Sequence, residues 1–572
     1  MGNMDEHHPE SGLTFPVRLR HDETAWEKYV RLLRSHFMPV CLVPESIGVT
    51  PNYWSTGLLQ NLSFEKENPP PANPGQFEGE QGAELAYRRL SQKTLFEDPG
   101  WAAHGFESVR SDLLLLLDAG WDVPARDDAR RPVADRGSME LSEDRFPSFR
   151  GGPVRRLEQL NDRVCDFGWR GLGLRAPAQC AGEAPGQLFD ESRLEAYWRQ
   201  RAHWAMAAGV RYWKIEGGLR DDDLCFRRRL THIAREEAPD LIVEHSLGLE
   251  PLNHKDGSGR FVDWGDLPYY AGERVGFSDV FRTTSVTFQL SVPTTLDRLV
   301  HVLGQARPDE GNLGLVNCGD EPYLAAALGC AMGLCRHPLA QPRSDQMWTP
   351  FESHRRLTEA VRALRWQRLA PAWGAGRTDL NCSDRILFDR WAFQPGDTGW
   401  TEIIGHEFAQ GAPAVVARGL ERPEVKADGE PPYVVASRHP EGPVAIASLP
   451  RVGHDRKRHT PWADVTVRLP ESPVSAGADR AAPTVLPPPI GVFGRFRSLK
   501  IIFPKPLGDW RILAQDLATD EAVDVTDRIV FKTFEIVLDR KLIDQLGGWS
   551  GRSRDRSLPG LVVRMVHREG IE

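Results

Sequence analysis

Lys214 and Glu216 stand two residues apart in Gly209-Val210-Arg211-Tyr212-Trp213-Lys214-Ile215-Glu216-Gly217-Gly218, a stretch that ends in a glycine turn. Strand side chains alternate, so an extended backbone puts Tyr212, Lys214 and Glu216 on one face and Trp213 and Ile215 on the other. Charges are seldom buried unless they are paired or used. A lysine next to a carboxylate keeps it ionised, and an ionised carboxylate at a strand exit can attack a carbon centre. The same pair also reads as a salt-bridged strand interior.

Several other apolar stretches run into polar groups in the same way. Leu113 to Leu117 leads to Asp118, Trp121 and Asp122, and Trp169 to Leu174 leads to Arg175. Leu241 to Val243 leads to Glu244, His245 and Ser246, while Phe277 to Val286 carries Asp279, Arg282 and Ser285. Asn312 to Cys318 leads to Asp320 and Glu321, and Tyr53-Trp54-Ser55-Thr56 closes the first such stretch. Asp279 precedes Ser285 by six residues, roughly 20 Å along a strand at about 3.3 Å per residue, which places it at the opposite end from the exits.

The elements that hold these exits alternate. Extended segments fall near 40–56, 113–122, 169–175, 210–217, 240–246, 277–286, 313–320 and 329–338. Helical spacing appears at 23–36, 83–95, 105–110, 153–167, 191–208, 222–237, 294–304 and 347–369, with Leu157, Leu160 and Val164 aligned in the fourth of these. Strand–helix alternation implies a parallel sheet. Eight units and no Gly-x-Gly-x-x-Gly after the first strand favour a closed (β/α)8 TIM barrel over an open doubly wound sheet. Chemistry in such a barrel sits at the strand exits.

The pattern changes after about residue 371. Tyr433 to Ser437 and Val444 to Ser448 are short β segments between Pro/Gly turns, so a C-terminal antiparallel β-sandwich is expected. Residues 470–489, with three prolines at 487–489, read as a linker or long loop. The expected organisation is a tail and helix over 1–37, a barrel over 38–370, and a β domain over 371–572 that the 470–489 segment could divide.

Composition narrows the function classes. The chain has 572 residues, with 40% hydrophobic and 26% charged, the ordinary mix of a folded globular protein. A net charge of −9 argues against a nucleic-acid partner. The run 113–117 is too short to span a bilayer, so no membrane partner is expected. The eight cysteines have neither C-x-x-C nor zinc-site spacing and read as reduced core thiols in a cytoplasmic protein. The first 13 residues have no apolar core of a signal peptide. No H-E-x-x-H or related spacing occurs, and neither a metal nor a cofactor is expected. The 17 tryptophans suit core packing or sugar stacking.

The order of exits resembles the glycosidase clan of the α-galactosidases, particularly the family that includes raffinose synthases. There a Trp-bearing first strand precedes D-D-G-W, then a Gly-hydrophobic-aromatic strand, then Y-x-K-x-D, and later W-R-T-T-G-D. The counterparts are Tyr53-Trp54-Ser55-Thr56, Asp118-Ala119-Gly120-Trp121, Gly173-Leu174-Arg175, Tyr212-Trp213-Lys214-Ile215-Glu216 and Phe281-Arg282-Thr283-Thr284-Ser285-Val286, within roughly residues 38–340. The resemblance implies a carbohydrate ligand and a C-terminal β-sandwich. It places Glu216 where the family has its nucleophilic aspartate. It makes Trp54, Asp118, Trp121, Asp122, Arg175, Lys214, His245, Arg282 and Ser285 the expected sugar-binding set.

The chain departs from the family at Glu216, at Ala119, at Arg175 and at the sixth strand, where the acid/base aspartate falls on Ser285 or Val286. Retaining glycoside cleavage uses two carboxyl groups about 5–5.5 Å apart. Asp320, after the seventh strand, is the first choice for the replacement acid. Three functions follow. One is a retaining α-glycosidase using Glu216. The second is a sugar-binding relative without catalysis. The third is a barrel enzyme of another reaction type on an anionic sugar, suggested by the Arg175 guanidinium.

Overall fold

In the computed structural model, eight parallel strands form one sheet that curls into a barrel. The structure describes residues 40–60, 89–97, 99–122, 137–246, 267–283, 289–309, 311–340, 354–392, 407–452, 458–471, 487–508, 510–548 and 555–567. The strands are β1 (Asn52–Ser55), β2 (Leu113–Leu117), β3 (Gly171–Ala176), β4 (Tyr212–Ile215), β5 (Ile242–Ser246), β6 (Val280–Arg282), β7 (Leu315–Asn317) and β8 (Gly333–Leu334). Their order is β7-β6-β5-β4-β3-β2-β1-β8. A parallel bridge between Asn317 and Ala331 closes the ring, with Cys318 N donating to Ala331 O at 3.0 Å and Ala331 N to Val316 O at 2.8 Å.

Side-chain alternation sorts the barrel into inside and outside. Tyr53, Leu114, Leu116, Tyr212, Val280 and Leu315 pack together in the interior. Trp54, Leu115, Leu117, Trp213, Ile215, Val243, Phe281 and Val316 belong to the larger core shared with the helices. The leucine run of β2 serves both layers, which is why it carries no polar alternation. Gly173 and Gly333 face inward because a Cβ there meets the Tyr212 and Leu116 side chains or the Tyr53 ring.

The outer helices include Pro153–Asp166, Glu191–Ala207, Leu224–Glu237, Leu267–Phe277, Ser291–Gln305, Pro322–Leu328 and Leu357–Gln367. Four differences from the sequence expectations stand out. Strand β6 spans three residues rather than ten. Helix Leu267–Phe277 falls where the sequence suggested no element. The helix expected at 105–110 is replaced by Trp101–His104 and a 3-10 turn at Arg110–Asp112. The cysteines are not uniformly core thiols, since Cys41, Cys165 and Cys225 are exposed. The expected helix at 23–36 lies outside the described residues.

Beyond the barrel, an eight-stranded sheet runs from Ala522–Asp524 at one edge to Leu380–Cys382 at the other. A five-stranded sheet from Glu424–Ala427 to Val530–Lys532 packs on it through a separate hydrophobic core. The sandwich is mostly antiparallel, with parallel pairs at Val415–Arg418 with Tyr433–Arg438, Val444–Leu449 with Ile490–Gly494, and Ala463–Arg468 with Ser498–Ile502. Most of the segment 470–489 lies outside the described residues. Among the described residues, no helix is long and apolar enough to cross a membrane.

Candidate active site

The inward rows of β2, β3, β4 and β6 run into polar side chains, and five of these meet at one mouth. Asp118 follows β2, Arg175 is the last but one residue of β3, Lys214 and Glu216 belong to the inward row of β4, and Arg282 ends β6. Lys214 Nζ lies 2.7 Å from Glu216 Oε2 and 3.5 Å from Asp118 Oδ2, so together these distances keep the two oxygens within about 6.2 Å. Arg175 bridges the same pair, with Nη1 2.9 Å from Asp118 Oδ1 and Nε 3.2 Å from Glu216 Oε2. Arg282 Nη1 reaches Glu216 Oε1 at 3.5 Å. Ser55 Oγ donates to Asp118 Oδ2 at 2.8 Å.

Exposure within the cluster is graded. The side chains of Arg175, Glu216 and Asp118 are 25%, 22% and 15% exposed, whereas those of Lys214 and Arg282 are 4% and 7% exposed. A ligand entering the mouth therefore meets an acceptor, a donor fork and a second acceptor, with two cations behind them. Burial alone pushes the Glu216 carboxyl up, but Lys214, Arg175 and Arg282 outweigh it and hold it at about 2. At Asp118 burial is outweighed in the same way by Lys214 and Arg175, and the Ala119 amide and Ser55 add to the effect, so its carboxyl lies far below the usual range.

One layer deeper, Glu244 accepts from Tyr53 Oη at 2.9 Å, Tyr212 Oη at 2.8 Å and Asn317 Nδ2 at 2.6 Å. Burial pushes this carboxyl up, against the pull of Arg282 and Lys214. Burial opposes the charge on Arg282, but the carboxyl groups of Glu216 and Glu244 keep it cationic. The Cys335 thiol, after β8, lies within the fields of Asp320, Arg282, Lys214 and Asp118, and burial pushes it up to about 12. Tyr53, Ser55, Tyr212, Asn317 and Cys335 were not among the expected site residues, although inward alternation from Lys214 and Glu216 extends to Tyr212 on the same strand.

Four expected sugar-binding residues are placed elsewhere. Trp54 is fully buried on the helix side of β1, with ring centroids 5.7 Å from Trp169 and 4.9 Å from His337, because it alternates with inward Tyr53 and Ser55. Trp121 is also fully buried, and its indole N–H donates to Arg175 O at 2.7 Å, so it fixes backbone rather than stacking on a ligand. Asp122 is consumed by the chain at 137–139, accepting from Gly137 N at 3.1 Å and Met139 N at 3.3 Å. Burial pushes its carboxyl up to about 6 against those hydrogen bonds. His245 points out of the barrel towards Arg227, Thr231 and Phe277. Burial, then Arg227 and Arg274, hold its imidazole neutral.

Asp320 lies at the mouth end of β7, where Oδ1 accepts from Arg336 Nε at 2.9 Å and Cys335 N at 3.3 Å. Burial raises its carboxyl despite Arg336. Asp279 lies at the entrance of β6, bound by Val243 N at 3.0 Å and Arg235 Nη2 at 3.2 Å. Ser285 lies outside the described residues.

No family model and no curated protein sequence matches the chain. Solved structures do. A GH27 β-L-arabinopyranosidase from Geobacillus stearothermophilus is 10% identical over 91% of this chain and 97% of its own, with a TM-score of 0.38. An α-amylase from Geobacillus thermoleovorans is 10% identical over 92% of this chain and 100% of its own, with a TM-score of 0.39. An Anoxybacillus α-amylase is 10% identical over 91% and 97%, with a TM-score of 0.38. These glycoside hydrolases are what the chain is similar to in overall architecture.

Proposed function

We propose that the chain is a carbohydrate-active barrel that cleaves an α-glycoside at this mouth by a retaining route, with Glu216 as nucleophile and Asp320 as proton donor. The observation that carries this reading is Glu216 itself, a partly exposed carboxylate at the β4 exit, held ionised by Lys214 and two guanidinium groups. In the first step a Glu216 oxygen bonds to the anomeric carbon while the bond to the leaving oxygen breaks, and that oxygen takes the Asp320 proton. In the second, water attacks the same carbon, passes a proton to Asp320 and frees Glu216.

The assignment follows the opposed environments of the two carboxyl groups, one held down by cations and one raised by burial. Asp118 and Arg175 supply acceptors and donors for sugar hydroxyls. Because Arg175 already binds two carboxylates of the protein, the reading favours a neutral sugar over an anionic one.

Aryl α-glycosides of several sugars test the proposal. The wild type is expected to release aglycone, and Glu216→Gln is expected to fall to background. Asp320→Asn is expected to lower kcat/KM for alkyl leaving groups by about 10²–10⁴-fold while sparing kcat/KM for dinitrophenyl ones, whose first step needs no proton, and to slow the water-dependent second step for both. If the wild type releases no more than the Glu216→Gln protein on every sugar, cleavage is ruled out. A second reading, sugar binding without cleavage, draws on the cations engaging both Glu216 oxygens. It predicts calorimetric binding of a sugar together with that null result.

A further inference from the structure

We infer that Arg227 is a positioning residue for Glu216, acting through Asp221 and the glycine turn that follows β4. The inference rests on Glu216 being the working carboxylate. Glu216 is the last residue before Gly217 and Gly218, which adopt φ of +70° and +106°. A Cβ on Gly218 would lie 2.8 Å from Ala178 N, so this turn accepts no side chain there. Without side chains to pack, the turn is held by hydrogen bonds. Ala178 N donates to Gly217 O at 2.6 Å, and Gly217 N donates to Asp221 Oδ1 at 2.8 Å.

Arg227 connects both sides of Glu216. It is fully buried on helix Leu224–Glu237. Its Nη1 donates to Ile215 O, the residue before Glu216, at 3.2 Å. Its Nε donates to Asp221 O at 2.6 Å, and its Nη2 pairs with Asp221 Oδ1, the oxygen that also holds Gly217. One guanidinium thus ties the strand end to the residue that clamps the turn.

His245 holds Arg227 in turn. Arg227 Nη1 lies 3.1 Å from His245 Nδ1, and Thr231 Oγ1 lies 2.7 Å from Nε2. A guanidinium only donates, so Nδ1 accepts and the ring proton sits on Nε2. Nε2–H donates to Thr231 Oγ1, whose own hydroxyl donates to Arg227 O at 3.3 Å. The tautomer is therefore set by the chain His245–Arg227–Asp221, which links β5, the helix shell and the β4 exit. A shift of about 1 Å in a reacting group can cost 10²-fold in rate, so the effect on the mouth is measurable.

Arg227→Met, Arg227→Lys and Asp221→Asn in the full chain test the inference by two readouts. The first is the crystal structure of each variant, which needs no turnover. Glu216 is expected to leave its contact with Lys214 in Arg227→Met and Asp221→Asn, and to stay nearer to it in Arg227→Lys. The second is kinetics on the best aryl glycoside, where kcat is expected to fall about 10–100-fold with KM within twofold, and Arg227→Lys to recover part of the loss. A folded Arg227→Met or Asp221→Asn protein with Glu216 unmoved overturns the inference. A displaced Glu216 in a protein whose wild type cleaves nothing overturns the cleavage reading instead and leaves the positioning role standing. If Arg227→Met does not fold, Asp221→Asn, which keeps size and shape, decides.

Discussion

Lys214 Nζ lies 2.7 Å from Glu216 Oε2, although the two residues are separated along the strand by outward-facing Ile215. This contact is a direct product of strand periodicity, since alternate residues share a face. It also sets the polarity of the mouth. The lysine is 4% exposed and the glutamate 22%, so the cation lies behind the carboxylate and leaves it facing the opening. Arg175 and Arg282 complete the arrangement from the exits of β3 and β6.

Acid titration reports this arrangement. Burial raises the Glu216 carboxyl, but Lys214, Arg175 and Arg282 hold it at about 2 in the folded protein, against about 4.3 in an unfolded chain. A depressed folded value contributes stability that is complete above the unfolded value and is lost as pH falls from about 5 through about 2. Asp118, held further below the usual range by Lys214 and Arg175, begins to lose its contribution as pH falls below about 4 and continues to lose it at still lower pH. Lys214→Met is expected to cost about 1.5–3 kcal/mol at pH 7. It is also expected to flatten the loss of stability between pH 6 and pH 3. Urea denaturation of both proteins across that range is the measurement, and equal slopes would contradict the assigned coupling.

The barrel and the Lys214–Glu216 face were legible because both depend on local periodicity. Apolar runs with polar exits mark strands, and a spacing of two marks a shared face. Which of two adjacent polar residues faces inward was not legible. Glu244 and His245 are neighbours, and only the register of β5 against β4 decides that Glu244 enters the barrel. Trp54 faces the helices for the same reason, since its neighbours Tyr53 and Ser55 take the inward positions. The partners of Asp122, Gly137 and Met139, are distant in sequence, so its place was not legible either. Helix Leu267–Phe277 is not legible in the sequence because Gly272 and Gly276 weaken its propensity and its apolar residues form no single stripe.

Trp54 gives a test that separates packing from binding. Its indole is fully buried between Trp169 and His337 and has no access to the mouth. Trp54→Ala is expected to destabilise the fold by about 3–5 kcal/mol through the cavity it leaves. Trp54→Phe, which keeps most of the packing, is expected to cost less and to leave sugar affinity unchanged within twofold. Thermal denaturation and calorimetric titration of Trp54→Phe check the two halves. A tenfold loss of sugar affinity in a stable Trp54→Phe protein would return this residue to the binding site.

The junction between barrel and sandwich depends on a different kind of contact. Arg362, on helix Leu357–Gln367, forks onto Asp516 of strand Trp510–Asp516, with Nε to Oδ1 at 2.8 Å and Nη2 to Oδ2 at 2.7 Å. Its remaining nitrogen Nη1 donates to Leu558 O at 2.8 Å. The side chains are 0% and 4% exposed, so neither charge can turn to water if its partner is removed. Asp516→Leu and Arg362→Met, each leaving one buried charge, are expected to cost about 3–5 kcal/mol. The double variant removes both charges and is expected to be more stable than either single one. Urea denaturation of the four proteins as a cycle measures the coupling. Additive losses in the double variant would show that the pair is not a linked unit.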